Sequence, residues 1–248
     1  MPEPREEHAE PSNVWLRPQR SRRGEPPVTS ERIVEVAVEI LDGGGLGSLT
    51  MRRVAEQLGV VAPSLYWHVK TKDDIIDLAV DHVFAETDAP TGAQPDGWRA
   101  CIEAIAVAWR ATLVEHPWVA PVAASRPSFG PSYLDQLELV MSTLLRAGLT
   151  GAELSAAMWT LHNLIFGSAS TEATLNITDH DREVGQALLQ QNADRYPTLA
   201  GHRYLDDDDW LGDFTRGLAY FLDGLELRIR TRPDLTSSPR TPPGGERP

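Results

Sequence analysis

Leu49-Thr50-Met51-Arg52-Arg53-Val54-Ala55-Glu56-Gln57-Leu58-Gly59-Val60, continued by Val61-Ala62-Pro63-Ser64-Leu65-Tyr66-Trp67-His68-Val69-Lys70-Thr71-Lys72, is the stretch on which the fold turns. A short helix is expected to begin at Thr50, and Val54, Ala55 and Leu58 share its inner face. Gly59 comes directly after that helix and accepts a left-handed backbone at no steric cost. Ala55 is small where two helices have to approach closely. A second short helix is expected over about residues 62–68, with Pro63 in its first turn, where a missing N–H does no harm. Two short helices joined by a glycine turn make a helix-turn-helix, whose second helix enters the DNA major groove.

The residue types suit that task. Ala62 and Ser64 are small enough to reach base edges, and a thymine methyl is a natural neighbour for Ala62. Tyr66, His68 and Lys72 can contact phosphates, and so can Thr50 or Arg52 from the preceding helix. Tyr66 and Trp67 are also ordinary core aromatics; for Trp67, packing and DNA contact are both open. The chain as a whole carries a net charge of −13, which repels phosphate. Locally the balance reverses. Residues 46–72 hold Arg52, Arg53, Lys70 and Lys72 against the single acid Glu56, and Arg17, Arg20, Arg22 and Arg23 crowd seven acid-free residues upstream. A small basic face on an acidic body is compatible with DNA binding and limits non-specific adhesion.

Outward from this stretch the pattern is helical throughout, with no alternating strand and no repeat, so the expected fold class is all-α. Residues 1–28 and 231–248 are polar and proline-rich and are expected to be disordered, the first as an arginine-bearing arm. A helix over about residues 30–41 carries Ile33, Val36, Ala37, Ile40 and Leu41 as one stripe, is capped by Thr29 or Ser30, and is expected to end at Gly43-Gly44-Gly45. Thr71 with Asp74 forms a capping box that opens a connecting helix reaching to about residue 88. After a Pro/Gly-rich linker, helices are expected at about 96–115, 118–124, 131–147, 150–175, 182–193 and 208–230. Thr150 with Glu153 reads as a further capping box, and Asp206 to Asp209 as the cap of the last helix. The expected domains are a helix-turn-helix unit at 29–72 and a larger helical unit at 96–230.

The string Leu65-Tyr66-Trp67-His68-Val69-Lys70-Thr71-Lys72, together with residues 49–60, closely resembles the TetR family of bacterial regulators. The likeness covers about residues 29–78. It implies that Met51, Arg52, Ala62, Pro63, Ser64, Tyr66, Trp67, His68 and Lys72 fall on DNA-contacting positions. It also implies a C-terminal effector pocket and a homodimer built from two late helices as a four-helix bundle, here about 150–175 and 208–230. The implied activity is repression at a palindromic operator, released by a small-molecule effector. An activator, or a regulator answering to a protein partner, remains as an alternative. His116 followed by Ser125-Arg126-Pro127 extends the resemblance. Tetracycline-sensing members of the family hold the drug's magnesium through a histidine where this chain has Val122, and contact the drug through an asparagine where it has Ile105. Those departures favour a more apolar effector.

Candidate pocket residues are Trp109, His116, Trp118, Ser125, Trp159, His162, Asn163 and Phe166, an aromatic set with a few polar anchors. Other classes find little support. No G-x-S-x-G, H-E-x-x-H or Walker loop is present, so no enzyme is expected. The Gly43–Gly47 cluster lacks a Lys-Ser/Thr pair and follows a helix, so it reads as a turn. Asp179-His180-Asp181 is metal-like in composition but has no second cluster, so a solvated loop is expected, with neither metal nor cofactor. The single Cys101 excludes an internal disulfide and fits a reducing cytoplasm. No apolar stretch resembles a signal peptide or membrane span, so a cytoplasmic location is expected.

Overall fold

The computed structural model describes Trp15 and residues 28–90, 97–175, 177–202 and 208–231. Arg17, Arg20, Arg22 and Arg23, and the tail beyond Thr231, lie outside these. Ten α-helices and one 3-10 helix make up the described structure, and no strand occurs among the described residues.

The N-terminal unit begins with α1 (Ser30–Ser48), capped by Thr29, whose hydroxyl accepts the Arg32 N–H. The expected stripe is buried: Ile33, Val36 and Ala37 are fully enclosed, with Ile40 and Leu41 beside them. The break falls within the three glycines, as expected, at the last of them, Gly45 (φ 66°, ψ −173°), and a further turn to Ser48 follows it. Beyond it, the Ser48 hydroxyl donates to the carbonyls of Ile40 and Gly45, which keeps the last turn attached.

Next come α2 (Met51–Leu58) and a 3-10 helix (Ala62–Trp67). Thr50 caps α2 through the Arg53 N–H. α3 (Lys72–Glu86) is opened by the Thr71–Asp74 capping box. It packs on α1 on one side and on α6 (Pro131–Arg146) on the other, so it belongs to both units.

The C-terminal unit is a helical pile. α4 (Trp98–Glu115) lies against α6 and, most extensively, against α7 (Gly151–Thr174); α5 (Val119–Ser125) also rests on α7. α10 (Trp210–Arg230) completes the pile against α7 and α4. Arg110 on α4 ties three of these helices. Its guanidinium donates to Ser168 and Glu172 on α7 and sits 5.3 Å from the Phe214 ring on α10.

α8 (Asp179–Gln191) and α9 (Pro197–His202) form a separate pair, and α8 buries no residue. The short α9 was not anticipated; six residues are too few to show a periodic stripe. Asp179-His180-Asp181 is not a loop but the first turn of α8. Asp181 accepts from Thr178 there as a capping-box partner, which lowers its pKa. Thr150 stands at the N-cap of α7, where its side chain makes no capping hydrogen bond, and Glu153 pairs with Arg228. Asp209 caps α10 through the Gly212 N–H, as expected of that acidic run. No described helix is long and apolar enough to cross a membrane.

Candidate DNA-reading face and effector groove

The turn between α2 and the 3-10 helix is built on Gly59 (φ 70°, ψ 26°). Its N–H donates to Glu56 and that of Val60 to Ala55, which satisfies the end of α2 while reversing the chain. Leu65 and Val69 then turn inward and join the same buried core as Val54 and the α1 stripe. The inward anchors leave the other side of the 3-10 helix outside: Tyr66 is 54% exposed and Trp67 67%. Thr50, Arg52 and Pro63 are exposed as well, and Met51, Ala62 and Ser64 half-buried. Trp67 therefore does not serve as a core aromatic.

Two expected contact residues are held inward. The Lys72 ammonium donates to the Leu46 carbonyl at 2.7 Å, closing the end of α1. His68 places Nδ1 3.2 Å from the Ser30 hydroxyl, and its Nε2 is buried without a partner among the described residues. Arg52 is paired with Glu56 at 2.7 Å, but both groups are solvent-exposed, so the pair opens cheaply.

In the C-terminal unit a groove of about 660 Å³ runs between α5 and α7. Five of the eight candidate pocket residues line it: Ser125, Trp159, His162, Asn163 and Phe166. The aromatic wall is ordered. His162 stacks on Phe166 with centroids 4.0 Å apart, and Trp159 meets His162 edge-on at 5.5 Å. Burial holds the His162 pKa below the ordinary histidine value.

The other three candidates lie elsewhere. Trp109 is core, only 1% exposed, with its indole N–H on Gln136 and its ring against Phe84, Tyr133 and Phe166. His116 and Trp118 converge on one oxygen of Asp42 in α1, at 2.8 and 2.7 Å. They bind the two units together rather than line the groove. Val122 and Ile105 are both buried in packing.

Residues the sequence reading passed over link groove and reader. Arg126, at the end of α5, lines the groove. It also reaches α3, pairing with Asp77 at 2.9 Å and Asp73 at 3.5 Å and donating to the Asp73 carbonyl. Asp81 on α3 accepts the Ser132 hydroxyl and the Tyr133 N–H, capping α6 from outside its own chain segment. Gln136 donates to the Phe84 carbonyl, also on α3. The available signal was spacing: Asp74, Asp77 and Asp81 recur three and four residues apart within a helix that also carries the apolar stripe.

A helix-turn-helix with an exposed second helix, joined through one shared helix to an all-helical domain holding a groove, defines a DNA-binding regulator of the two-unit kind. Comparison with known proteins agrees. Residues 33–79 match the family described as "Bacterial regulatory proteins, tetR family", and residues 90–229 match "Tetracyclin repressor-like, C-terminal domain". An HTH-type transcriptional regulator of Saccharopolyspora erythraea is 40% identical over 221 residues, covering 87% of this chain and 92% of that protein. The HTH-type transcriptional repressor DrrR1 of Streptomyces coeruleorubidus is 35% identical, covering 88% and 85%. Among solved structures, the Streptomyces coelicolor TetR family protein ActR in complex with actinorhodin superposes with a TM-score of 0.69 at 27% identity, covering 82% of this chain and 99% of that one. The chain belongs to the TetR family of DNA-binding transcriptional regulators.

Proposed function

We propose that the chain is a homodimeric, non-enzymatic transcriptional repressor of the cytoplasm, released from a palindromic operator by a small, largely apolar aromatic effector. The observation that carries this reading is α3, which packs on the DNA-reading unit and is gripped by the groove-lining Arg126. In each protomer the 3-10 helix enters the major groove. Ala62, Pro63 and Ser64 face base edges, while Thr50, Arg52, Tyr66 and Trp67 hold the flanking backbone, with Met51 beside them. Lys72 and His68 join the phosphate contacts only after leaving their present partners.

The domain boundaries follow the same division, 29–72 for reading and 96–230 for sensing and pairing, with α3 between. Dimerisation is supported by the outer faces of α7 and α10. Ala156, Thr160 and Gly167 share one face of α7 and are small, and Tyr220 and Leu227, seven residues apart on α10, are exposed on the side opposite its buried stripe. Small residues on one helix and exposed ring and aliphatic surface on the other suit close helix pairing into a four-helix bundle. The groove, lined by Ser125, Trp159, His162, Asn163 and Phe166, supplies aromatic surface with a few polar anchors, as effector pockets do. ActR, solved in complex with actinorhodin, is a relative of similar fold that holds a ligand.

The test is a titration of the purified protein against the DNA upstream of its own gene at two salt concentrations. Saturable binding of two protomers per duplex, weakening steeply with salt, is expected. Affinity no better than for random duplex at both salts overturns the reading.

A further inference from the structure

We propose that the groove between α5 and α7 takes an aromatic ligand bearing a carboxylate, and that this carboxylate acts by drawing Arg126 away from Asp77 on α3. The inference rests on the groove being the effector site and specifies what that site recognises.

The groove has two unlike walls. On α7, Trp159, His162 and Phe166 stand at positions i, i+3 and i+7 and offer stacked and edge-on ring surface. Flat rings gain most from such offset and edge contacts. Across from them the end of α5 contributes Ala123, Ala124 and Arg126. Arg126 is the one lining residue with a fixed charge. His162 stays uncharged at neutral pH because burial disfavours its protonated form. An aromatic ligand that fills this groove therefore meets one cation, and a planar guanidinium fork is the natural receptor for a carboxylate.

That fork is already in use. Arg126 Nη2 lies 2.9 Å from Asp77 and 3.2 Å from the Asp73 carbonyl, and Nη1 lies 3.5 Å from the Asp73 carboxylate. The two acids differ in what they lose. Asp73 is 64% exposed and regains water. Asp77 has a side chain only 6% exposed, and removing a cation from so buried a carboxylate is costly unless the helix moves to hydrate it. Ligand and α3 thus compete for the same donors. Because α3 also packs on α1, that competition reaches the DNA-reading unit. Linkage makes the coupling mutual: a ligand that favours the shifted α3 weakens DNA binding, and DNA weakens ligand binding equally.

The experiment compares anthraquinone-2-carboxylate with uncharged anthraquinone-2-carboxamide, by calorimetry and by release of a fluorescent duplex selected from a random pool. The proteins are wild type, Arg126→Gln and Asp77→Asn, each checked by thermal melting. Wild type is expected to bind the carboxylate at least tenfold more tightly and to release DNA with it alone. Arg126→Gln is expected to lose the preference while still binding the carboxamide. Asp77→Asn leaves Arg126 in place but removes its buried counter-charge, with only the Asp73 contacts remaining, so carboxylate affinity should rise several-fold while carboxamide affinity stays level. Equal affinity of wild type for both probes overturns the inference and leaves the groove standing as an aromatic effector site. Preference that survives Arg126→Gln removes Arg126 from the role, and no response to Asp77→Asn overturns the competition with α3. Failure of both probes to bind overturns the inference together with the aromatic effector reading.

Discussion

Gly130→Ala is expected to be the most damaging single-methyl change in the joint between the two units. Gly130 has φ −64° and ψ 140°, a conformation any residue adopts, so the substitution adds no backbone strain. The whole cost is steric. An added Cβ overlaps the Asp81 carboxyl and lies 2.5 Å from Asp81 Cβ, which cannot swing aside because it is fixed to the α3 backbone. α3 and α6 must separate, and the Asp81 cap on α6 is lost with them. Overpacking of this kind costs about 1–3 kcal/mol, and loss of a cap about 1 kcal/mol, so about 2–4 kcal/mol in all. In a chain of this length that lowers Tm by roughly 5–15 °C. Asp81→Ala keeps the spacing and loses only the cap, so about 1–2 kcal/mol is expected. It should not rescue Gly130→Ala, because the alanine retains the obstructing Cβ. Thermal and urea unfolding of the three variants measures this. A Gly130→Ala variant within about 0.5 kcal/mol of wild type, the range of ordinary surface substitutions, or one restored by Asp81→Ala, would refute the proposed close approach.

Three further outcomes are expected. Gly59→Ala meets no atom within 4 Å, so its cost is left-handed backbone alone, roughly 1–2 kcal/mol by urea denaturation; a neutral result contradicts the turn geometry. Arg110→Met removes a buried guanidinium from Glu172, whose side chain is 29% exposed, so about 2–3 kcal/mol is lost rather than the full cost of a sealed pair; Glu172→Gln should cost less. His162 has its pKa lowered by burial, so the unfolded chain takes up its proton first as pH falls. Stability should be level above about pH 6.5 and decline below it toward the folded pKa, and His162→Phe should flatten that part of a melting-against-pH profile.

How much of this was legible in the sequence depends on the range of the interaction. Thr29, Thr71 and Gly59 act on backbone groups within a few residues of themselves, and each stands where local reasoning puts it. The helix breaker was harder, because three glycines in a row offer three places to turn and only Gly45 takes a positive φ. For the groove, composition identified aromatic candidates but could not separate lining from core. Trp109 and Phe166 touch, yet only Phe166 also faces the groove, and that distinction arises when α4 and α7 pack. His116 and Trp118 show the same limit: their partner, Asp42, is more than seventy residues away. The acids on α3 were the largest omission. A buried Asp77 or Asp81 makes sense only once Arg126 and the start of α6 are brought against it.

The central claim is that the face around the 3-10 helix reads DNA. Selection from a random duplex pool by wild type, Arg52→Ala and Tyr66→Ala tests it most directly. Wild type should enrich a palindrome with half-sites about 10 bp apart, centre to centre, and the two variants should bind that duplex at least tenfold more weakly while melting as wild type does. No enriched sequence, or full affinity in both variants, would contradict it.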